Sequence, residues 1–290
     1  STIKTIVIVY DQAYMSGGAA KIAISAAVAL KEEGFRVIYF SALEPVDETL
    51  TQAGVEVKCV GGQHIGKTKS PVALLQALWN KNAEKQLDEL LQTLDKKTTV
   101  VHVHGWTKCL SASIFSACKK NHIKTFITLH EYFSICPNGG LFDYRDNSIC
   151  DIKPCSVKCY LKNCDKRSYI QKLYRDIRQI VTNRSLRLSR PNVIYISEFS
   201  RKILEPNISF SNRSFLVENH VEIQDNKKID VSQNEEYLFI GRMSKEKGPE
   251  LFCEAITRAG VCGTVIGEGP ELVKLKNKYS NITFTGWLSQ

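Results

Sequence analysis

Short apolar runs alternate with segments of helical period along most of the chain. The runs at residues 5–9, 99–103 and 124–129 are continuously apolar or nearly so, as strands buried in a parallel sheet are. Residues 19–33 place their apolar side chains on one helical face, and Gly34 ends this predicted helix. Strand–helix alternation of this kind predicts an α/β fold with doubly wound parallel sheets.

The same pattern divides the chain into two domains. The remaining predicted strands are 36–40, 55–60, 192–196, 237–240, 263–266 and 282–285, and the remaining predicted helices are 74–94, 111–120, 168–181, 249–258 and 270–279. We predict a first domain over residues 1–222, with an insert at about 136–190, a polar linker at 223–235 and a second domain over 236–290. A doubly wound domain usually has five or six strands, so the three strands before Gln290 predict an incomplete second domain.

Composition excludes several protein classes. The 290 residues are 43% hydrophobic and 24% charged, which is ordinary for a globular protein. We find no run of roughly 20 apolar residues that could cross a membrane and no signal peptide at the start of this sequence. These features predict a cytoplasmic protein.

The net charge of +9 is concentrated in one part of the chain. Residues 151–190 hold 11 Lys and Arg against three Asp, a net charge of +8. Within them, the predicted helix 168–181 has an apolar face with Ile170 and Ile177, and Lys172 lies opposite. Two interpretations follow: the helix packs its apolar face on the core, or it contacts an anionic membrane surface or a lipid-diphosphate acceptor. A nucleic acid partner is disfavoured, since zinc-finger spacing and an aromatic β platform are lacking.

Five of the ten cysteines fall in the insert. Because stable disulfides are disfavoured in the cytosol, four thiolates around a structural zinc are one interpretation. Free, partly buried thiols are the other. The zinc ligands would be Cys136, Cys150, Cys159 and Cys164, with Cys155 as the alternative ligand.

Three glycine turns each connect a predicted strand to a helix. Gly17 and Gly18 precede the first helix, where backbone N–H groups can approach a phosphate, although a plain tight turn has the same signature. Arg242 and Lys247 lie in the second turn, which suits either a diphosphate or a solvated charged loop. The third turn, at residues 267–271, is either a further ligand loop or a simple connection.

The order of these motifs resembles that of the retaining glycosyltransferases of family 4, which have the GT-B fold of two Rossmann-like domains facing a cleft. The resemblance covers nearly the whole chain. It rests on SGG at 16–18, VHVHGW at 101–106, TLHE at 128–131, ISEFSR at 196–201, VENH at 217–220, GRMSKEKG at 241–248, IGEGP at 266–270 and FTGW at 284–287.

The resemblance assigns roles to individual residues. It implies that His130 faces the donor sugar near the reacting carbon, with Glu131 as a second catalytic candidate. The donor-binding residues that it implies are Gly17, Gly18, Arg242, Lys247, Gly267 and Glu268. It implies no metal cofactor for catalysis. The family's pair of glutamates seven residues apart would lie beyond Gln290, so we expect weak or no activity from these 290 residues.

The sequence as a whole predicts a glycosyltransferase that uses a nucleotide-diphosphate sugar as donor. The implied acceptor is a saccharide hydroxyl, free or lipid-linked, in a cell-surface polysaccharide such as capsule or O-antigen. Such an enzyme is cytoplasmic or peripheral at the inner face of the cell membrane. The alternative function is a non-catalytic protein of the same fold that binds a sugar nucleotide or a polysaccharide.

Overall fold

The structure is a computed structural model that describes residues 2–62, 64, 70–221 and 230–288. These residues form two compact units. Unit 1 comprises the described residues of 2–141 and 150–221, and unit 2 comprises residues 142–149 and 230–288. Most of residues 223–235, predicted as a linker, lie outside the described residues.

The secondary structure alternates strands and helices as the sequence pattern predicts. The strands are β1 Thr5–Gln12, β2 Arg36–Leu43, β3 Glu56–Cys59, β4 Thr99–Val103, β5 Lys124–Leu129, β6 Phe142–Asp143, β7 Ser148–Ile149, β8 Asn192–Tyr195, β9 Ser214–Leu216, β10 Glu236–Ile240, β11 Cys262–Ile266 and β12 Thr283–Gly286. The helices are α1 Gly18–Glu32, α2 Glu48–Gln52, α3 Pro71–Leu78, α4 Lys81–Gln92, α5 Ser113–Lys120, α6 Val157–Leu161, α7 Tyr169–Ser189, α8 Glu198–Leu204, α9 Pro249–Ala259 and α10 Leu272–Lys278.

Unit 1 is built on a seven-stranded sheet in the order β3-β2-β1-β4-β5-β8-β9. All its strand pairs are parallel, and separate apolar cores cover its two faces. Every residue of β1 is buried, which explains its continuous apolar run. The strand order reverses between β1 and β4, so the carboxyl ends of these two strands form the topological switch point, where ligands of open α/β sheets bind.

The segment predicted as one helix at 74–94 is two helices, and the prediction of a continuous helix was wrong. The break is at Asn80, whose side-chain oxygen accepts the Ala83 N–H at 3.0 Å and caps α4. Its amide nitrogen donates to the Cys109 carbonyl at 2.9 Å. The cap and this tertiary bond together stabilise a new helix start within the helical pattern.

Helix α7 buries its polar face and exposes its apolar face, whereas a surface helix usually does the reverse. Lys172 is fully buried, and Asp176, Arg178 and Gln179 are also buried. The apolar side chains of the other face remain exposed: Ile170, Leu173, Ile177, Ile180 and Leu188. The interpretation that α7 packs its apolar face on the core is therefore wrong.

The reason is that α7 covers loops with free carbonyl groups. Its polar side chains donate to four main-chain oxygens: Lys172 to Cys159 at 2.9 Å, Arg178 to Thr107 at 3.2 Å, Gln179 to Ser134 at 3.2 Å and Ser185 to Ala112 at 2.8 Å. A buried carbonyl needs a hydrogen-bond donor, so a polar helix face is the stable partner for these loops.

Unit 2 contains a smaller parallel sheet in the order β10-β11-β12. Helices α9 and α10 supply Cys253, Ile256 and Leu275 to its core. The antiparallel hairpin of β6 and β7 belongs to the same unit.

Candidate active site

The switch point of unit 1 holds a pocket of about 30 Å³. Tyr10 and Asp11 line it from β1, His104 and Lys108 from the loop after β4, and His130 and Glu131 from the chain after β5. The two candidate catalytic residues from the sequence, His130 and Glu131, therefore lie at the edge where a ligand is expected.

Asp11 organises the loop after β4. Its carboxylate accepts three main-chain hydrogen bonds, each 2.8 Å long, from the N–H groups of Lys108, Cys109 and Leu110. The carboxylate is 2% exposed, so these bonds replace its lost hydration. Asp11 thereby fixes the loop that carries Lys108 into the pocket.

Three histidines form a connected group beside the pocket. Nδ1 of His104 lies 3.0 Å from Nε2 of His130, and Nε2 of His102 lies 2.7 Å from the Thr128 hydroxyl. Burial lowers the pKa of His130 to about 4. Burial, together with the charge of His130, lowers the pKa of His102 to about 4, and burial lowers that of His104 well below its ordinary value. His130 is therefore a neutral imidazole at neutral pH, able to donate or accept one hydrogen bond at each nitrogen.

The first glycine turn leaves a helix start open to ligands. Helix α1 begins at Gly18, and Gly17 has a φ of 152°, a conformation that favours glycine. No heavy atom lies within 4 Å of where a Cβ would stand on either glycine. The first turn of α1 has no acidic residue and no side-chain cap, so its N–H groups remain suitable for a phosphate.

The second glycine turn follows β10 in unit 2. Nη2 of Arg242 lies 2.7 Å from Oε1 of Glu246, which also accepts the Ser244 hydroxyl at 2.8 Å. The Arg242 side chain is 65% exposed, and Lys247 is exposed as well. Both cations therefore reach solvent at the carboxyl edge of the unit 2 sheet.

The third glycine turn interlocks with the second. The Met243 N–H donates to the Glu268 carbonyl at 2.8 Å, and the Glu271 N–H donates to the Met243 carbonyl at 3.0 Å. Gly267 has a φ of 135°, and a Cβ there would overlap the Gly241 carbonyl oxygen. Gly267 and Glu268 therefore lie against the loop that carries Arg242.

Two cysteines of the insert contact Asn138 in unit 1. The Cys136 thiol donates to the Asn138 side-chain oxygen at 3.2 Å, and the Asn138 amide donates to the Cys164 sulfur at 3.5 Å. Burial raises the pKa of Cys164 to about 11, and Cys136, Cys159 and Cys150 act on it as like charges. Cys155 differs, because its thiol donates to the Ile135 carbonyl at 3.2 Å.

In the described part of the chain, no group of three or more His, Cys, Asp or Glu side chains is arranged to hold a metal ion. The cysteine ligand set for zinc therefore stays a prediction. Among the helices of the described residues, none is long and apolar enough to cross a membrane.

A second cavity, of about 140 Å³, adjoins the first. It shares Thr107, Lys108 and Phe133 with the switch-point pocket, and α7 lines it with Arg175 and Arg178.

The sequence reasoning missed several residues that build unit 1's pockets. Asp11 ends a buried apolar strand, and a carboxylate in that position was a usable signal. The contact between His104 and His130 has no local signature in the sequence. Helical period alone does not reveal which face of α7 is buried, so it gives no indication that Arg178 lines a cavity.

Comparison with known proteins identifies the fold. No family model and no curated protein sequence matches the chain. Among solved structures, a glycosyltransferase from Rickettsia africae has a TM-score of 0.60 and 18% identity, covering 100% of this chain and 69% of that one. Anabaena Alr3699/HepE, solved in complex with UDP, has a TM-score of 0.56 and 12% identity over 99% of this chain and 70% of that one.

WaaG, a glycosyltransferase involved in lipopolysaccharide biosynthesis, has a TM-score of 0.52 and 11% identity over 98% of this chain and 70% of that one. The predicted fold class is confirmed: these 290 residues have the α/β fold of the GT-B glycosyltransferases.

Proposed function

We propose that this protein is a retaining glycosyltransferase of family 4 that moves a sugar from a nucleoside-diphosphate sugar to an acceptor hydroxyl. The observation that carries the proposal is the pocket at the switch point of unit 1, where a neutral His130 and Glu131 lie side by side. The UDP complex of a protein with this fold supports a nucleotide donor.

The donor diphosphate would bind to cations of unit 2. The Arg242 side chain is 65% exposed, so a diphosphate can reach its guanidinium from solvent while Glu246 keeps its hydrogen bond from Ser244. Arg242 and Lys247 would neutralise the charge that grows on the departing diphosphate. In unit 1, the open N-terminus of α1 at Gly17 and Gly18 would by itself offer N–H donors to a phosphate.

His130 would orient the transferred sugar. A neutral imidazole can hydrogen bond to a sugar hydroxyl, and its second nitrogen is already engaged by His104 at 3.0 Å. That contact fixes the ring, so the nitrogen facing the pocket has a defined direction. Glu131 stands beside it as a candidate for stabilising positive charge on the sugar ring.

Calorimetric titration with UDP, GDP, ADP and CMP tests the donor site. We expect one diphosphate to bind and the Arg242→Ala and Lys247→Ala variants to weaken binding by about 10-fold to 100-fold, the range for a lost charged hydrogen bond. Lys245→Ala, in the same turn, is the matched control. Equal weakening by all three variants would show nonspecific attraction and would contradict the assignment.

We further propose that unit 1 lies on an anionic membrane surface and takes a lipid-linked acceptor of a cell-surface polysaccharide. Five apolar side chains of α7 are exposed on one face, and the exposed Arg184 lies within the same face. Helices α6 and α3, which contact α7, add the exposed Leu161 and Leu75. Apolar side chains with interspersed cations fit an anionic bilayer.

Vesicle cosedimentation tests this surface. We expect binding to vesicles with phosphatidylglycerol and little binding to pure phosphatidylcholine. Ile177→Gln should reduce the binding, whereas Phe199→Gln, at an exposed position of α8, should not. Equal binding to both vesicle types would contradict the proposal, as would a stable dimer in light scattering that Ile177→Gln dissolves.

We further propose structural zinc for the cysteine-rich insert, supported by the electrostatic effect of Cys136, Cys150 and Cys159 on the pKa of the Cys164 thiol. Metal analysis of the purified chain should give one zinc per protein, and Cys159→Ser should remove it. A zinc content near zero in the unsubstituted protein would refute the proposal.

A further inference from the structure

The second cavity of unit 1 has a strongly cationic wall. Lys108, Arg167, Arg175 and Arg178 line it, and none of its lining residues is Asp or Glu. Its volume of about 140 Å³ is well above the roughly 10–15 Å³ of probe-occupied space that a single water molecule needs. The cavity therefore has room for a small anion and an excess of positive charge to hold it.

Arg178 is the deepest of these cations. Its residue surface is 9% exposed, and the described residues give its guanidinium one hydrogen-bond acceptor, the Thr107 carbonyl at 3.2 Å. The Phe133 ring centroid lies 5.4 Å from its central carbon. A guanidinium has five N–H donors, so most of its capacity remains available within the cavity.

The Asp11 and Asp165 carboxylates act on Arg178 electrostatically, but they are already engaged, Asp11 by main-chain N–H groups and Asp165 by Arg175. Burial, with a smaller effect of the neighbouring Arg175 charge, lowers the pKa of Arg178 to about 10. A buried cation is normally paired, so this arrangement calls for an anionic ligand.

Arg175 and Lys108, two further cations of this cavity, have different partners. Arg175 lies 3.1 Å from the fully buried Asp165, which orients it at the cavity wall. The Lys108 main chain is fixed by Asp11 at 2.8 Å, and its side chain lines both cavities of unit 1. Lys108 thus links the anion cavity to the His130 pocket.

We propose that this cavity is a subsite for a phosphate or diphosphate group of the acceptor. Arg178 and Lys108 are its principal ligands, and Arg175 adds positive charge. Because Thr107, Lys108 and Phe133 separate the two pockets by a single layer of residues, an acceptor anchored here by its phosphate can present a nearby hydroxyl at His130. Assignment of the phosphate to an acceptor rests on the proposed glycosyl transfer, whereas anion binding itself does not.

Calorimetric titration of the full chain with inorganic pyrophosphate tests the subsite. We expect Lys108→Gln to weaken binding by about 10-fold and Arg178→Met to abolish it. Lys202→Gln, a loss of the same charge on α8, should have no effect. Arg242→Ala should also retain pyrophosphate binding, which separates this subsite from the donor site of unit 2.

Arg178→Met removes a buried side chain, so its folding is checked by circular dichroism, and Lys108→Gln decides the question if that variant does not fold. Unchanged binding in Lys108→Gln, or loss of binding in Arg242→Ala alone, would overturn the proposal. Absence of UDP binding by the unsubstituted protein, with pyrophosphate still bound, would instead contradict the proposed donor site only.

Two organic phosphates identify the source of the anion. Farnesyl phosphate in detergent micelles represents a lipid-linked acceptor, and glucose 1-phosphate, with the same single phosphate, represents a soluble one. We expect Lys108→Gln to weaken the binding of farnesyl phosphate, which should bind more tightly than glucose 1-phosphate. The reverse preference would retain the phosphate subsite and overturn the lipid-linked source.

Discussion

Nδ1 of His104 and Nε2 of His130 lie 3.0 Å apart, with His104 almost fully buried. At this distance one nitrogen carries a proton and the other accepts a hydrogen bond from it. The tautomer of one ring therefore sets the tautomer of the other. His104 therefore positions the ring of His130. A proton added to either ring would create a buried cation. If it were added to the accepting nitrogen, two N–H groups would also point at each other.

The three coupled histidines predict a stability that falls in acid. In the folded state the pKa values of His102 and His130 are about 4 and that of His104 is also lowered, all chiefly by burial, against 6.5 when exposed. Between pH 6.5 and about 4 the unfolded chain binds protons that the folded chain does not, so stability rises with pH there. Each histidine contributes up to about 1.4 kcal/mol per pH unit.

Urea unfolding at several values between pH 4 and pH 8 measures this dependence. The slope should weaken in a His102→Gln variant, since one of the three groups no longer titrates. A free energy of unfolding that stays constant from pH 7 to pH 5 would contradict the burial of neutral histidines.

Asp11 predicts a large effect from a small substitution. Asp11→Ala leaves three buried N–H groups without an acceptor, which should cost about 3 kcal/mol or more of stability. Asp11→Asn is the matched control. The Cys109 and Leu110 N–H groups both donate to Oδ1 of Asp11, and the side-chain oxygen of Asn can accept both bonds in the same position. We expect Asn to lose less than half as much as Ala in denaturant unfolding. Equal losses would mean that the negative charge, and not the acceptor geometry, holds the loop.

The sequence predicted those strands and turns that are determined by residues next to one another in the chain. Continuous apolar runs identified β1, β4 and β5, because a strand buried on both faces has only apolar neighbours. The glycine turns were placed correctly, since a helix start after a strand has a local signature. His130 was identified by the family resemblance of the TLHE motif at 128–131, and its role stays a proposal.

The features that the sequence did not predict depend on distant partners. The buried face of α7 is decided by carbonyl groups of Thr107 and Ser134, which are far away along the chain. Helical period reports that two faces differ, but the exposed carbonyls on the neighbouring loops decide which face is buried. The break at Asn80 likewise needs the Cys109 carbonyl, 29 positions away.

Gly267 predicts a specific requirement in unit 2. A Cβ at Gly267 would overlap the Gly241 carbonyl oxygen, and its φ of 135° is unfavourable for other residues. Gly267→Ala should therefore displace the loop that carries Arg242 and weaken nucleotide binding. The control is Gly248→Ala, where φ is 72° and no atom lies within 4 Å of the added Cβ. If both variants bind UDP as tightly as the unsubstituted protein does, the interlocked loops are not needed for the donor site.

The buried pair of Lys172 and Asp176 predicts a non-additive mutant cycle. The Lys172 ammonium is fully buried, 2.5 Å from Asp176 and 2.9 Å from the Cys159 carbonyl. Removing one partner leaves the other charge buried, so Lys172→Met and Asp176→Leu should each cost about 3–5 kcal/mol. The double variant should cost far less than the sum, because two apolar side chains leave neither charge unpaired.

Denaturant unfolding of the four proteins in this cycle gives the coupling free energy. Burial raises the pKa of Asp176 even though Lys172 opposes the shift, so burial of the charged carboxylate is incompletely compensated. Asp176→Asn should be milder than Asp176→Leu, since the amide oxygen can still accept from Lys172, which also keeps the Cys159 carbonyl. Additive single losses would show that the two side chains act independently, and that the polar face of α7 is held by its contacts with the loop carbonyls alone.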